Sequence, residues 1–148
     1  MPPAPRTHET TIVRRYPHPL ARVYRAWIRP EHLEDWFCPS DEMRLKVERF
    51  DLCAGGEYCF RFVAPNGDCP VVGKFLSVYP EQNLIFSWMP LEPHPDAGKD
   101  TLVSIFFRAV EPSLTEVEVR HTLFPDEPMR DCHREGWNGT LDRLGRHL

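Results

Sequence analysis

The 148-residue sequence contains no apolar stretch of 18 residues, so no segment is long enough to be a membrane-spanning helix. Its start, Met1-Pro2-Pro3-Ala4-Pro5-Arg6, lacks the apolar core of a signal peptide, and the chain reads as a cytoplasmic protein. Charge of one sign is also missing. The 18 basic and 22 acidic residues leave a net charge of −4 with neither end skewed, which argues against a nucleic-acid partner and against a membrane surface. The stripe of Arg22, Arg25 and Arg29, close in sequence to Arg14 and Arg15, therefore reads as a solvated helix face. No C-x-x-C pair occurs among Cys38, Cys53, Cys59, Cys69 and Cys132, and five is an odd number, so they read as free buried thiols. H-E-x-x-H, G-x-S-x-G, P-loop and G-x-G-x-x-G sequences are all absent. No catalytic residue, metal or cofactor is expected. A Cys–His dyad would have to be assembled from Cys38 or Cys132 with His121 or His133, and scatter explains those residues equally well.

What is present is enough apolar material for a core. Leu, Ile, Val and Phe make up a quarter of the chain, and a domain of this size buries enough surface to fold without staples. Sixteen prolines and eight glycines cut the sequence into short elements with no internal repeat. After a loose N-terminal segment over residues 1–7, one domain is expected over residues 8–148. His8 to Tyr16 alternates as a first strand. Leu20, Val23, Tyr24, Trp27 and Ile28 then follow a helical period, started by Pro19 and stopped before Pro30, and Glu31 to Phe37 gives a second short helix.

Period two returns from Met43 to Leu123. Six strands are expected there, near Met43–Arg49, Tyr58–Val63, Val71–Tyr79, Leu84–Met89, Leu102–Val110 and Leu114–Leu123, with turns at Gly55-Gly56 and Pro65-Asn66-Gly67-Asp68. From Asp126 to Leu148 the period is helical again, with Met129, His133, Trp137, Leu141, Leu144 and Leu148 on one stripe. A half-buried antiparallel sheet needs a cover, and these helices are the available one. The fold class is α+β, a curved antiparallel sheet wrapped around a long C-terminal helix.

Large aromatic residues are conspicuous on the inward stripes. A long helix laid across a curved sheet leaves a space that such side chains can wall as an apolar ligand pocket. The expected walls are Tyr58, Phe60, Phe62, Phe86, Trp88, Val103, Ile105, Phe107, Val117 and Val119 from the sheet, and His133, Trp137 and Leu141 from the helix. His121, on the inward stripe of the last strand, reads either as a hydrogen-bonded core histidine or, with Trp137 opposite, as an anchor for the polar end of a ligand.

Several runs resemble a known family. Val23-Tyr24-Arg25-Ala26-Trp27, Pro30-Glu31-His32-Leu33 and Trp36-Phe37 are similar to the opening helices of the AHSA-like branch of the START/SRPBCC superfamily, the helix-grip fold. Asp51-Leu52-Cys53-Ala54-Gly55-Gly56-Glu57-Tyr58 resembles its D-L-x-x-G-G-x-Y turn. Leu84-Ile85-Phe86-Ser87-Trp88 and Val119-Arg120-His121-Thr122-Leu123 resemble two of its strands, and His133-Arg134-Glu135-Gly136-Trp137 its H-x-x-G-W signature. Trp36-Phe37-Cys38-Pro39 and Leu123-Phe124 depart from the usual W-W-G-P and Gly-Leu. The resemblance implies a cavity for a small hydrophobic or aromatic molecule between sheet and C-terminal helix. Elsewhere in the superfamily such cavities belong to aromatase/cyclase-type enzymes, and the branch takes its name from a chaperone activator. The inward stripes favour binding over either alternative. A homodimer is left open, and a chaperone partner is not expected.

Overall fold

The structure, a computed structural model, describes residues 7–148, so the loose segment expected at the N-terminus lies, but for Thr7, outside the described residues. The element order is β1 (His8–Tyr16), α1 (Leu20–Arg25), α2 (Pro30–Trp36), β2 (Arg44–Phe50), β3 (Glu57–Ala64), β4 (Gly67–Tyr79), β5 (Asn83–Pro90), β6 (Thr101–Glu111), β7 (Leu114–Phe124) and α3 (Glu127–His147). The seven strands form one antiparallel sheet in the order β1-β7-β6-β5-β4-β3-β2. The chain therefore leaves one edge at β1, crosses through α1 and α2, and re-enters at the opposite edge before winding back by hairpins. Register shifts in four of the six pairings, such as that between Phe75 and Ser77, mark bulges that bend the sheet. This is the helix-grip fold.

Two boundaries differ from the sequence pattern for local reasons. The apolar stripe of α1 runs on to Ile28, but the helix stops at Arg25, and Ala26, Trp27 and Ile28 close with hydrogen bonds to the carbonyl three residues back. Pro30 forces Arg29 into an extended conformation, φ −129° and ψ 130°, so the last turn tightens and ends. At the β3–β4 hairpin the turn is Pro65-Asn66 alone. Gly67, at φ +134°, already pairs with Ala64, a conformation that favours glycine.

The helix α3 begins at Asp126, whose side chain accepts from the Met129 N–H at 2.8 Å and caps an otherwise unpaired donor. Its N-terminal half faces β3, β4 and β5 across a gap, and its C-terminal half presents Leu141 and Leu144 to a tight core. Three ties hold it to β1. Tyr16 Oη donates to the Leu141 carbonyl at 2.8 Å, Arg14 bridges to Asp142 at 2.5 Å, and Arg134 donates to Thr10 Oγ1 at 2.6 Å. Of the five cysteines, all free, only Cys38 is buried; Cys53 and Cys132 are exposed and Cys59 and Cys69 half-buried, which corrects the expectation of buried thiols. Cys53 sits in the turn before β3 and Cys132 in the second turn of α3, off the buried stripe of Met129 and Trp137.

Candidate functional site

A cavity of about 170 Å³ lies under the N-terminal half of α3. The sheet contributes Phe62, Cys69, Val71, Trp88 and Pro90, and α3 contributes Cys132, His133, Gly136, Trp137 and Thr140. Phe37, Pro39 and Met43, from the segment between α2 and β2, and His94, from the β5–β6 connection, complete the rim. The space has a local cause. Gly136 leaves the helix wall bare, and a Cβ placed there would meet nothing nearer than Pro39 Cβ at 3.9 Å. Opposite it, Val71 is a small side chain between Phe62 and Trp88. Three residues later on α3, Gly139 does the reverse, letting the Pro39 carbonyl approach so closely that a Cβ would collide with it. This pair of glycines sets both the depth of the cavity and the position of its rim.

Of the wall residues expected from the sequence, Phe62, Trp88, His133 and Trp137 meet at this cavity. Tyr58, Phe60 and Phe86 turn inward but surround a separate void of about 20 Å³ with Trp27 and Phe75. Their rings pack against one another there, Tyr58 to Phe60 at 4.7 Å and Tyr58 to Phe86 at 5.5 Å, which leaves room for a water at most. Val103, Ile105, Phe107, Val117, Val119 and Leu141 face inward as well, yet they form solid core beneath α1 and the end of α3 rather than cavity wall. Branched aliphatic side chains meeting Leu141 and Leu144 fill that space completely.

His121 takes the first of its two expected readings, a hydrogen-bonded core histidine. It is fully buried, and both ring nitrogens are committed to the protein. Trp137 Nε1–H donates to His121 Nδ1 at 3.0 Å, and Nε2 lies 2.7 Å from Thr101 Oγ1. Because an indole can only donate, Nδ1 must accept and Nε2 carries the proton. Thr101 Oγ1 receives that proton's hydrogen bond and passes its own to the Trp88 carbonyl at 2.8 Å. Burial pushes the His121 pKa well below its ordinary value of 6.5, and neighbouring His133 pushes in the same direction. The imidazole is a neutral link between α3 and the sheet.

The polar atoms left over at the cavity are few. His133 Nδ1 donates to the Met129 carbonyl at 2.9 Å, which makes its Nε2 an acceptor, and no protein group bonds to that nitrogen among the described residues. Burial lowers the His133 pKa, His94 adds to the effect, and the Met129 carbonyl opposes it. His94 is the opposite tautomer, since its Nδ1 accepts from the Asp96 N–H at 2.9 Å. Trp88 Nε1–H is buried with no partner among the described residues. No thiol is activated: Cys69 and Cys132, which line the cavity, both have pKa values raised by burial above 9.0.

The rim residues Met43 and His94 and the wall residues Cys69, Val71, Pro90, Cys132, Gly136 and Thr140 were not anticipated, whereas the departure of Trp36-Phe37-Cys38-Pro39 from W-W-G-P pointed to the rim. Gly136 carried a signal, as the glycine of the H-x-x-G-W run. Met43 and His94, in irregular segments, carried none.

Similarity to other proteins covers nearly the whole chain. Solved structures of a protein from Chromobacterium violaceum (22% identity, TM-score 0.81) and of the AHSA1 protein from Silicibacter pomeroyi (21%, TM-score 0.81) each match 95% of this chain and 97% of their own. The AHSA1-like protein from Aeromonas hydrophila matches with 22% identity and a TM-score of 0.74, over 95% of this chain and 91% of its own. No curated protein matches the sequence. Likeness at this level of identity shows a shared fold. The model of the family described as Activator of Hsp90 ATPase homolog 1-like protein matches residues 17–148, from the end of β1 through α3, and the chain belongs to that family.

Proposed function

We propose that the protein binds a small apolar molecule, of about the bulk of a single aromatic ring, in the cavity beneath α3. The observation that carries this is the cavity itself. It is walled by Phe37, Phe62, Trp88 and Trp137 and holds about 170 Å³, against about 20 Å³ for the void around Tyr58, Phe60 and Phe86. An apolar void of about 150 Å³ suffices to bind benzene, so the volume suits one ring or a short branched chain. The raised thiols and the committed His121 leave no activated nucleophile at the cavity, which favours binding over a cyclase-type reaction. The family's name refers to a chaperone activator, and fold likeness does not carry that role here.

Toluene titrated into the protein, followed by the fluorescence of the cavity tryptophans and by calorimetry, tests the reading. Saturable binding is expected, with Kd between roughly micromolar and millimolar. Gly136→Leu fills the cavity from the helix side while improving helix propensity, and it should abolish binding in a protein that remains folded. A folded wild type with no saturable binding of toluene would overturn the proposal.

A further inference from the structure

We infer that the ligand is a neutral aromatic ring bearing a hydroxyl group, a phenol, whose O–H donates to His133 Nε2. The inference rests on the cavity-binding reading and adds the chemistry of the ligand's polar end. His133 and Trp88 both line the cavity, with ring centroids 6.4 Å apart in an edge-on arrangement. The acceptor is defined by the fold. Donation from His133 Nδ1 to the Met129 carbonyl leaves Nε2 with a lone pair and no protein partner among the described residues. The indole N–H groups are not available to it, since that of Trp88 is closed off within the wall and that of Trp137 is taken by His121.

One acceptor in a wall without charged residues calls for a neutral donor on the ligand, and a hydroxyl is the smallest. Charged groups fit poorly. No Lys, Arg, Asp or Glu lines the cavity, so a carboxylate or an ammonium would be desolvated there with no counter-charge. The remaining surface, Phe37, Phe62 and Trp137, offers ring edges and faces to the ring of the ligand.

Phenol and toluene have nearly the same shape and differ in hydroxyl against methyl, which makes them the test pair. A purely apolar cavity prefers toluene, because phenol is the better solvated in water. In the wild type phenol is expected to bind at least as tightly as toluene. In His133→Phe, which keeps a ring but deletes the acceptor, toluene should win by about tenfold or more. His133→Gln, which returns an acceptor near the position of Nε2, should recover part of the phenol preference. Toluene binding shows in each variant that the cavity is intact. The 15N resonance of His133 Nε2 gives a reading without substitution, since it should move on saturation with phenol and stay in place with toluene. The same phenol-to-toluene ratio in wild type and in His133→Phe, or an unmoved Nε2 resonance, would overturn the hydroxyl pairing while leaving the apolar cavity standing. Failure of both ligands to bind would instead strike the cavity-binding reading.

Discussion

Trp137 on α3 donates its indole N–H to Nδ1 of His121 on β7, and that single hydrogen bond of 3.0 Å fixes the tautomer of a fully buried imidazole. The consequence runs across the sheet. His121 Nε2–H is directed to Thr101 on β6, and Thr101 to the Trp88 carbonyl on β5, so one chain of bonds links the helix to three successive strands. Each member is satisfied only when α3 sits at one rotation and one height over the sheet. Apolar packing tolerates small slips, but a buried polar chain does not, because any slip leaves a donor or acceptor bare. The bonds thus hold the helix over the cavity at a set distance.

Trp137→Phe and Trp88→Phe should differ in stability although both trim the same atoms. The first strips His121 Nδ1 of its donor, and an unsatisfied buried acceptor costs about 1–3 kcal/mol beyond the lost packing. The second removes an N–H that has no partner among the described residues, so its desolvation cost disappears with it. Urea unfolding should rank Trp137→Phe as clearly the less stable, at similar slopes. Equal midpoints would show that the His121 chain contributes nothing.

Stability should fall as the medium becomes mildly acidic. His121 is held neutral in the folded protein, its pKa pushed well below 6.5, and His133 is pushed in the same direction by burial and by His94, with Asp96 opposing. In the unfolded chain both take up a proton near the ordinary value. The unfolded state therefore binds more protons below about pH 6.5, and the stability present above that pH is lost as pH falls through it. His121 alone contributes a slope of up to about 1.4 kcal/mol per pH unit. Glu116 and Asp126, whose pKa values are lowered by hydrogen bonds from Arg108 and from the Met129 backbone, act only at lower pH, below their ordinary 4.5 and 3.8. Urea midpoints measured from pH 8 to pH 5 should be level and then descend, with a shallower descent in His121→Gln. A descent of equal steepness in that variant would assign it to other groups.

The element order and the inward faces were legible because both are properties of periodicity. Tyr58, Phe60 and Phe62 alternate with Cys59, Arg61 and Val63, and all three aromatics are buried. Met129, Trp137, Leu141 and Leu144 recur at helical spacing, and all are buried on α3. Periodicity reports which way a side chain points, not how much room it meets. Val103, Ile105 and Val117 share the phase of the cavity wall and end in solid core, because Leu141 and Leu144 lie over them, whereas Gly136 lies over Phe62 and Trp88. His121 was ambiguous for a related reason: its partner Thr101 is 20 residues away, and only the β6–β7 and β5–β6 registers bring Thr101, Trp88 and His121 together. Phe37, Pro39, Met43 and His94 sit in irregular segments whose path no repeat encodes.

The two glycines of α3 beside Pro39 should respond to the same substitution with opposite signs. Glycine inside a helix is worse than alanine by about 1 kcal/mol, so Gly→Ala stabilises wherever a methyl group fits. At Gly136 it fits, since the nearest atom to a new Cβ is Pro39 Cβ at 3.9 Å, an ordinary contact. Gly136→Ala should therefore gain stability of about 0.5–1 kcal/mol and cut into the cavity by one methyl group. At Gly139 the new Cβ would strike the Pro39 carbonyl, which is backbone and cannot rotate aside. Relief requires the 37–43 segment to move off the helix, taking Phe37, Pro39 and Met43 away from the cavity rim. Gly139→Ala should lose about 1–3 kcal/mol, as overpacked sites do, and should weaken toluene binding as well. Thermal unfolding and toluene titration of the two variants check both signs. A stabilised Gly139→Ala would mean that the close approach of Pro39 to α3 does not hold the rim in place.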